Sequence, residues 1–222
     1  MHNNISAFDS KEYDKKIVQT LPYYEEFYRQ VIDVVKNYNN KKTMWLDVGC
    51  GTGKMAEFAF REIDIEKFVF CDNSDGMINI AKQRFYKYNA QFDICDILEL
   101  QYHKVFDVIT AIQVNHYFNK EERIKCVHKY YNALKPDGIY ISFENFAPFS
   151  EIGKNLYLNR WKNYQLQQGK SLMECEEHIS RYGKDYYPIS ITEQVDIMHS
   201  VDFKAVEILW LSNMQVGILA IK

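Results

Sequence analysis

Ten residues constrain this chain more than any others: Met44-Trp45-Leu46-Asp47-Val48-Gly49-Cys50-Gly51-Thr52-Gly53. A short apolar run ends in glycines at alternate positions, and Lys54-Met55-Ala56-Glu57-Phe58-Ala59 follows with the composition of a helix. Strand, tight turn and helix in that order open a nucleotide-binding βαβ unit. The glycines let the backbone turn sharply and let a ligand lie against bare peptide. The helix behind the turn directs its free N–H groups and positive dipole end into it. Such a loop suits the polar part of a nucleoside-containing cofactor.

Spacing narrows the choice of cofactor. The dinucleotide fingerprint G-x-G-x-x-G needs its third glycine at position 54, where this chain has Lys54. The pattern present is Asp47-x-Gly49-x-Gly51-x-Gly53, and alone it is also compatible with a tight turn that holds nothing. The next apolar run, Phe68-Val69-Phe70-Cys71, ends at Asp72, nineteen positions after Gly53. A carboxylate at the tip of a second strand is placed to accept hydrogen bonds from a ribose diol. Asn73-Ser74-Asp75 then caps a helix running through Met77, Ile80, Ala81 and Arg84. A third strand, Ala90 to Cys95, leads into Asp96-Ile97-Leu98, which by itself reads as an ordinary loop.

Together Leu46-Asp47-Val48-Gly49-Cys50-Gly51-Thr52-Gly53, Asp72, Asp96-Ile97 and Leu134-Lys135-Pro136-Asp137-Gly138 resemble a class I S-adenosylmethionine (SAM)-dependent methyltransferase over roughly residues 43 to 145. The resemblance implies an α/β, Rossmann-like fold: a mostly parallel seven-stranded sheet with an antiparallel last strand, helices on both faces, and an N-terminal helical lid. It implies SAM as cofactor, held by Asp47, Gly49, Cys50, Gly51 and Gly53 of the turn, by Asp72, Asn73 and Met77, and by Gln113. Asp96 would accept from the adenine amino group while Ile97 meets the ring.

The remaining segments are less marked. The chain reads as one domain over residues 1–222, with 1–40 as a helical lid and 148–190 as a helical insertion covering the substrate site. Asp9 or Ser10 can cap a first short helix carrying Tyr13, Ile17 and Val18. Thr20-Leu21-Pro22 reads as the N-cap and early proline of a second, with Phe27, Val31, Val34, Val35 and Tyr38 on one face. Its tyrosines, Tyr24 among them, are either core edge or part of a lid whose aromatic faces suit a sulfonium cation. Val105 to Thr110 is a fourth strand, and Asn115-His116 lies beyond its carboxyl end, where open α/β sheets bind ligands. His116 is a structural hydrogen-bonder or a base; Glu144, at the tip of the strand Ile139–Phe143, is the second catalytic candidate. Lys120 to Leu134 is a helix with Ile124, Val127, Tyr131 and Leu134 on one face. Within 148–190, Tyr157, Trp161 and Tyr164 recur at helical spacing, and with Tyr24 and Arg181 they are the substrate-binding candidates. A helix over Thr192–Ser200 and the runs Phe203–Leu211 and Met214–Ile221 close the chain, with Asp202 where a left-handed residue is needed.

Composition excludes some partners. Net charge is −3 with a pI of about 6.1 and no lysine or arginine stripe, which speaks against a nucleic-acid substrate and for a small molecule. Cys50, Cys71, Cys95, Cys126 and Cys175 form no C-x-x-C pair and read as buried free thiols of a cytoplasmic protein. The histidines His2, His103, His128, His178 and His199 give His116 no partner at metal-ligand spacing, so no metal is expected. No apolar run is long enough to span a bilayer. Oligomeric state stays open between monomer and homodimer.

The expected activity is methyl transfer to a small, partly aromatic or apolar acceptor, with a base needed only if the nucleophile must lose a proton. Two alternatives stand beside it. Phe8-Asp9, Leu21-Pro22-Tyr23-Tyr24, Asp72-Asn73-Ser74, Phe143-Glu144 and an arginine ahead of Pro188-Ile189-Ser190 are similar to carboxy-SAM synthase, which makes a modified SAM used on tRNA wobble uridine. That resemblance implies that Arg181 pairs with the added carboxylate. The other alternative is a SAM-binding protein without catalysis.

Overall fold

A computed structural model describes residues 8–38 and 41–222; within the expected 1–40 segment, residues 1–7 (with His2) and 39–40 lie outside the described residues. Five strands run parallel: β1 (Thr43–Val48), β2 (Ile65–Asp72), β3 (Ala90–Ile94), β4 (Phe106–Ile112) and β5 (Leu134–Asn145). Two more, β6 (Ala205–Ser212) and β7 (Gln215–Ile221), form a terminal hairpin, with β7 antiparallel to both β5 and β6. The sheet order is β3-β2-β1-β4-β5-β7-β6, so the topological switch lies between β1 and β4.

Alternate side chains of the central strands face opposite layers. Trp45, Phe68 and Phe70 join one core with α3 (Lys54–Glu62), α4 (Asp75–Phe85) and the N-terminal helices α1 (Tyr13–Thr20) and α2 (Tyr24–Tyr38). Leu46, Val69 and Ile109 join the other with α5 (Lys120–Ala133) and α8 (Ile191–Ser200). The insertion forms α6 (Glu151–Gln167), which packs against α1, and α7 (Leu172–Ser180), which packs against α6.

Five local expectations differ from the structure. Helix α1 begins at Tyr13 with Glu12 at its N-cap, and Asp9 accepts from the Lys11 amide at 3.0 Å instead of capping the helix. Thr20 ends α1, its hydroxyl donating to the Lys16 carbonyl at 2.8 Å, and does not cap α2. Pro22 precedes a left-handed Tyr23 (φ 61°), and α2 starts only at Tyr24. On α5 the buried face is Arg123, Cys126, Val127, Tyr130 and Ala133, rotated from the expected Ile124–Tyr131 face because a buried arginine belongs to it. Cys71 and Cys95 are not free thiols but are bonded to each other, since β2 and β3 are neighbours and bring their Cα atoms to 5.9 Å. Cys50, Cys126 and Cys175 are free and buried. Asp202 does take the left-handed conformation, at φ 71°.

Candidate functional site

The carboxyl ends of β1, β2, β3 and β4 open into a cavity of about 340 Å³. Its floor is the glycine turn. Gly49, Gly51 and Gly53 all take positive φ. A Cβ on Gly49 would lie 2.4 Å from Val114 Cγ2, so this position has no room for a side chain. A Cβ on Gly51 would meet no atom within 4 Å, because that peptide faces open space. Gly53 does not line the cavity; it lies against Phe70 and Phe85 in the core.

Two carboxylates form one wall. Asp72 accepts from the Gly51 amide at 2.9 Å and the Ser74 amide at 2.9 Å, which ties the second strand tip to the glycine turn. Burial raises its pKa, and the amides of Ser74, Gly51 and Asn73 oppose that rise. Ser74 caps α4, placing Asn73 and Met77 beside Asp72 on the same wall. Asp96 accepts from the Leu98 amide at 2.9 Å and so fixes the turn that sets Ile97 against the cavity. Gln113 also lines it, in a left-handed conformation (φ 60°) with its amide donating to Gln215 Oε1 at 2.7 Å.

Beyond β4 the lining changes character. The turn Asn115–Tyr117 contributes His116 and Tyr117, the α7 side contributes His178, Arg181 and Tyr186, and α6 contributes Trp161. Arg181 is bound by Asp185 at 2.7 Å, with its side chain 16% exposed, and its charge and hydrogen bond act on the Tyr117 hydroxyl. Burial, then the charges of Arg123, Arg181 and His178, lower the His116 pKa to about 3. Burial and the neighbouring Lys170 and Arg181 lower that of His178 to about 3. Both imidazoles are therefore neutral at pH 7, and Arg181 is the cation of this half. His116 is correspondingly a weak base.

The roof is α1. Phe8, Tyr13 and Ile17 face the cavity, and Trp161 Nε1 donates to the Thr20 carbonyl at 2.6 Å to close α6 onto it. A smaller adjoining recess holds Asp47, Cys50 and Tyr24 with Tyr13, Tyr28 and the glycine turn. Thr110 Oγ1 donates to Asp47 at 2.7 Å, yet burial still drives the Asp47 pKa up to about 7.

Besides Gly53, three candidates from the sequence stand outside the cavity. Glu144 does not reach the cavity: it is wholly buried in an ion pair with Arg123 at 2.7 Å and accepts from Asn115 at 3.1 Å. Tyr164 turns to α1, donating to the Val18 carbonyl at 3.0 Å, and Tyr157 packs on the core beneath Arg160. The stripe of α6 thus contributes only Trp161, because its other rings anchor the helix to its neighbours. His178, Tyr117 and Tyr186 are not among the sequence's site candidates, although Tyr117 lies in the stretch beyond β4 that faces ligands in open α/β sheets and Tyr186 lies in the insertion expected to cover the substrate. Tyr13, placed on the first helix, is the one roof residue that the aromatic-lid reading foreshadowed. Among the described residues no cluster of three His, Cys, Asp or Glu could hold a metal. Among them also no helix is long and apolar enough to cross a membrane.

The lining fits SAM. Bare peptide at Gly51, a part-engaged carboxylate at Asp72 and another at Asp96 match the polar groups of an adenosine, and aromatic rings suit a sulfonium. Comparison with known proteins agrees. The family described as "Methyltransferase domain" matches residues 46–138. A carboxy-S-adenosyl-L-methionine synthase of Nautilia profundicola is 24% identical over 95% of this chain and 90% of that protein. The Helicobacter pylori (strain Shi470) protein of the same name is 27% identical over 94% of this chain and 90% of its own length. Among solved structures, a SAM-dependent methyltransferase described as putative, from Methanococcus maripaludis, superposes with a TM-score of 0.65 at 14% identity, covering 99% of this chain and 96% of that one.

Proposed function

For a chain that carries a class I SAM-dependent methyltransferase domain, we propose carboxy-SAM synthase chemistry: conversion of SAM to carboxy-SAM with a small carboxylate-bearing second substrate. The observation that carries this reading is Arg181, a part-buried guanidinium in the half of the cavity beyond β4, which it lines together with His116 and His178. When bound, SAM would supply a sulfonium-activated methyl carbon, which gives up one hydrogen as a proton and bonds to the carboxyl carbon of the second substrate. That carboxyl carbon's bond to the second substrate breaks, and its electron pair stays with the rest of that substrate, which takes up the proton or expels a leaving group that does. The residues of the chain do the rest by position. Asp72 and Asp96 hold the adenosine, and the glycine turn bears its polar contacts. Arg181, oriented by Asp185 and joined to the Tyr117 hydroxyl, faces the carboxylate, where a fork of N–H donors gives charge-assisted bonds. Phe8, Tyr13, Trp161 and Tyr186 exclude water from the pair. The two synthases similar to this chain over more than nine-tenths of its length support the reading.

Methyl transfer to a small acceptor is the second reading, favoured by the aromatic rings that share the cavity with Arg181. Native mass spectrometry of the purified protein separates the two. Carboxy-SAM should co-purify, and Arg181→Ala should weaken its binding about thirtyfold or more while leaving SAM affinity within threefold. Protein that carries only SAM or its demethylated product, and prefers SAM over carboxy-SAM with or without Arg181, would overturn the synthase reading.

A further inference from the structure

Beneath the second-substrate half lies a buried pair that touches no ligand surface. Arg123 on α5 and Glu144 at the tip of β5 are both fully inaccessible, and they meet at 2.7 Å. Arg123 also donates to Gln194 Oε1 at 3.0 Å and to the Tyr187 carbonyl at 3.3 Å. Glu144 accepts on its other oxygen from Asn115 at 3.1 Å, and Asn115 in turn bonds the hydroxyls of Tyr140 at 2.7 Å and Tyr130 at 3.1 Å. The Tyr187 amide donates to the His116 carbonyl at 2.6 Å. The Tyr187 residue is thus gripped on both sides, by His116 and by Arg123.

Burying two charges costs several kcal/mol per ion before their attraction is counted, and well-packed neutral residues are often as stable. Here the pair is not even fully satisfied, since Arg123 Nε and Gln194 Nε2 have no partner. Stability alone does not account for it. Its contacts instead join two segments that carry cavity-lining side chains: Asn115–Tyr117, with His116 and Tyr117, and the stretch 181–187, with Arg181 and Tyr186.

We propose that Arg123 and Glu144 are positioning residues, which set the spacing between these two segments and so hold Arg181 and Tyr186 at the right distance from His116 and Tyr117. The inference rests on reading this half of the cavity as the place of the second substrate's carboxylate. The adenosine wall at Asp72 and Asp96 shares no hydrogen bond with the pair, so the two halves should respond separately.

The test uses the double variant Arg123→Met with Glu144→Gln, which leaves no unpaired charge and keeps an acceptor for Asn115, and the single variant Arg123→Lys. Calorimetry measures SAM and carboxy-SAM on each. The double variant should melt within a few degrees of wild type and keep SAM affinity within twofold, while its preference for carboxy-SAM over SAM falls at least tenfold. Arg123→Lys, which keeps the charge but loses the fork, should fall in between. Unchanged preference in the double variant, or equal loss of both ligands, would overturn the proposal. Wild-type protein indifferent to the carboxylate would sink the synthase reading instead. The positioning role would then stand or fall on the ring contact between His116 and Tyr186, whose centroids lie 5.7 Å apart. Nuclear Overhauser effects between them should vanish in the folded double variant, and their persistence would overturn it.

Discussion

The amide of Gly51 donates to the carboxylate of Asp72 at 2.9 Å, so the glycine turn after β1 and the acidic tip of β2 are one unit. Twenty-one positions separate them in the chain. The bond explains why the two motifs belong together: the carboxylate that lines the cavity wall also fixes the loop beneath it. Its second oxygen does the same for the Ser74 amide at the start of α4.

Asp72→Ala should accordingly be the most damaging single change to SAM binding. It removes a charge-assisted bond to the ligand worth roughly 1.5–3 kcal/mol and frees two buried amides. Calorimetry should show affinity falling by about tenfold to a hundredfold or more. An unchanged dissociation constant would remove Asp72 from the site.

Burial holds the Asp47 carboxyl up to about 7, from an ordinary 3.8, with the Thr110 hydroxyl opposing and the Asp72 charge assisting. An acid whose folded pKa is raised gives stability that is complete below pH 3.8 and is lost as pH climbs through 7. Asp47→Asn keeps an acceptor for Thr110 and never ionises. Urea unfolding at pH 5 and pH 8 should therefore show the wild type losing stability relative to Asp47→Asn, by roughly 1–4 kcal/mol. Parallel pH curves for the two proteins would count against a buried, protonated Asp47.

His116 runs the other way. Burial first, then the nearby cations, depresses its pKa to about 3, so the neutral ring is the folded form at every working pH. A histidine with a lowered folded pKa contributes stability above its unfolded value near 6.5 and loses it as pH falls toward 3. Its imidazole resonances should stay flat between pH 5 and 9. A midpoint near 6.5 would show that the ring is solvated and restore it as a candidate base.

How far the sequence reaches depends on how local each feature is. The glycine turn and Asp72 are legible because strand, turn and helix chemistry fixes them within a few residues, whereas Asp96 reads as an ordinary loop residue until the family resemblance singles it out. Asp202 is legible for the same reason, as only a left-handed residue closes that turn. The α5 face was misjudged because Arg123 counts as polar in any periodicity argument, while its partner Glu144 lies on another element. Cys71 and Cys95 pair only once β2 and β3 are known to be neighbours. His178, Arg181 and Tyr186 come to the cavity through the packing of α6 on α1 and of α7 on α6, which no spacing rule encodes.

The last prediction concerns how a ligand gets in. Helix α1 roofs the cavity, and one residue ties it to the floor: Asp14 accepts from Thr52 Oγ1 at 2.6 Å and from Arg84 at 2.5 Å, while Arg84 also donates to the Thr52 carbonyl at 3.2 Å. Thr52 belongs to the glycine turn, so the tie joins roof and floor directly. Its strength can be bounded. The Asp14–Arg84 pair is 42% exposed on each side and contributes at most a few tenths of a kcal/mol once screened. The part-buried bond from Thr52 to a charged acceptor adds about 1–1.5 kcal/mol. Asp14 does not line the cavity. Asp14→Ala should then speed both association and dissociation of SAM roughly fivefold to twentyfold, since the roof opens more often, while the dissociation constant moves much less. Asp14→Asn, which keeps the Thr52 bond and drops the ion pair, should stay within about twofold of wild type. Stopped-flow measurement of Trp161 quenching, with the other tryptophans replaced by phenylalanine, reads both rates. Equal rates in Asp14→Ala and wild type would mean that SAM enters without lifting α1.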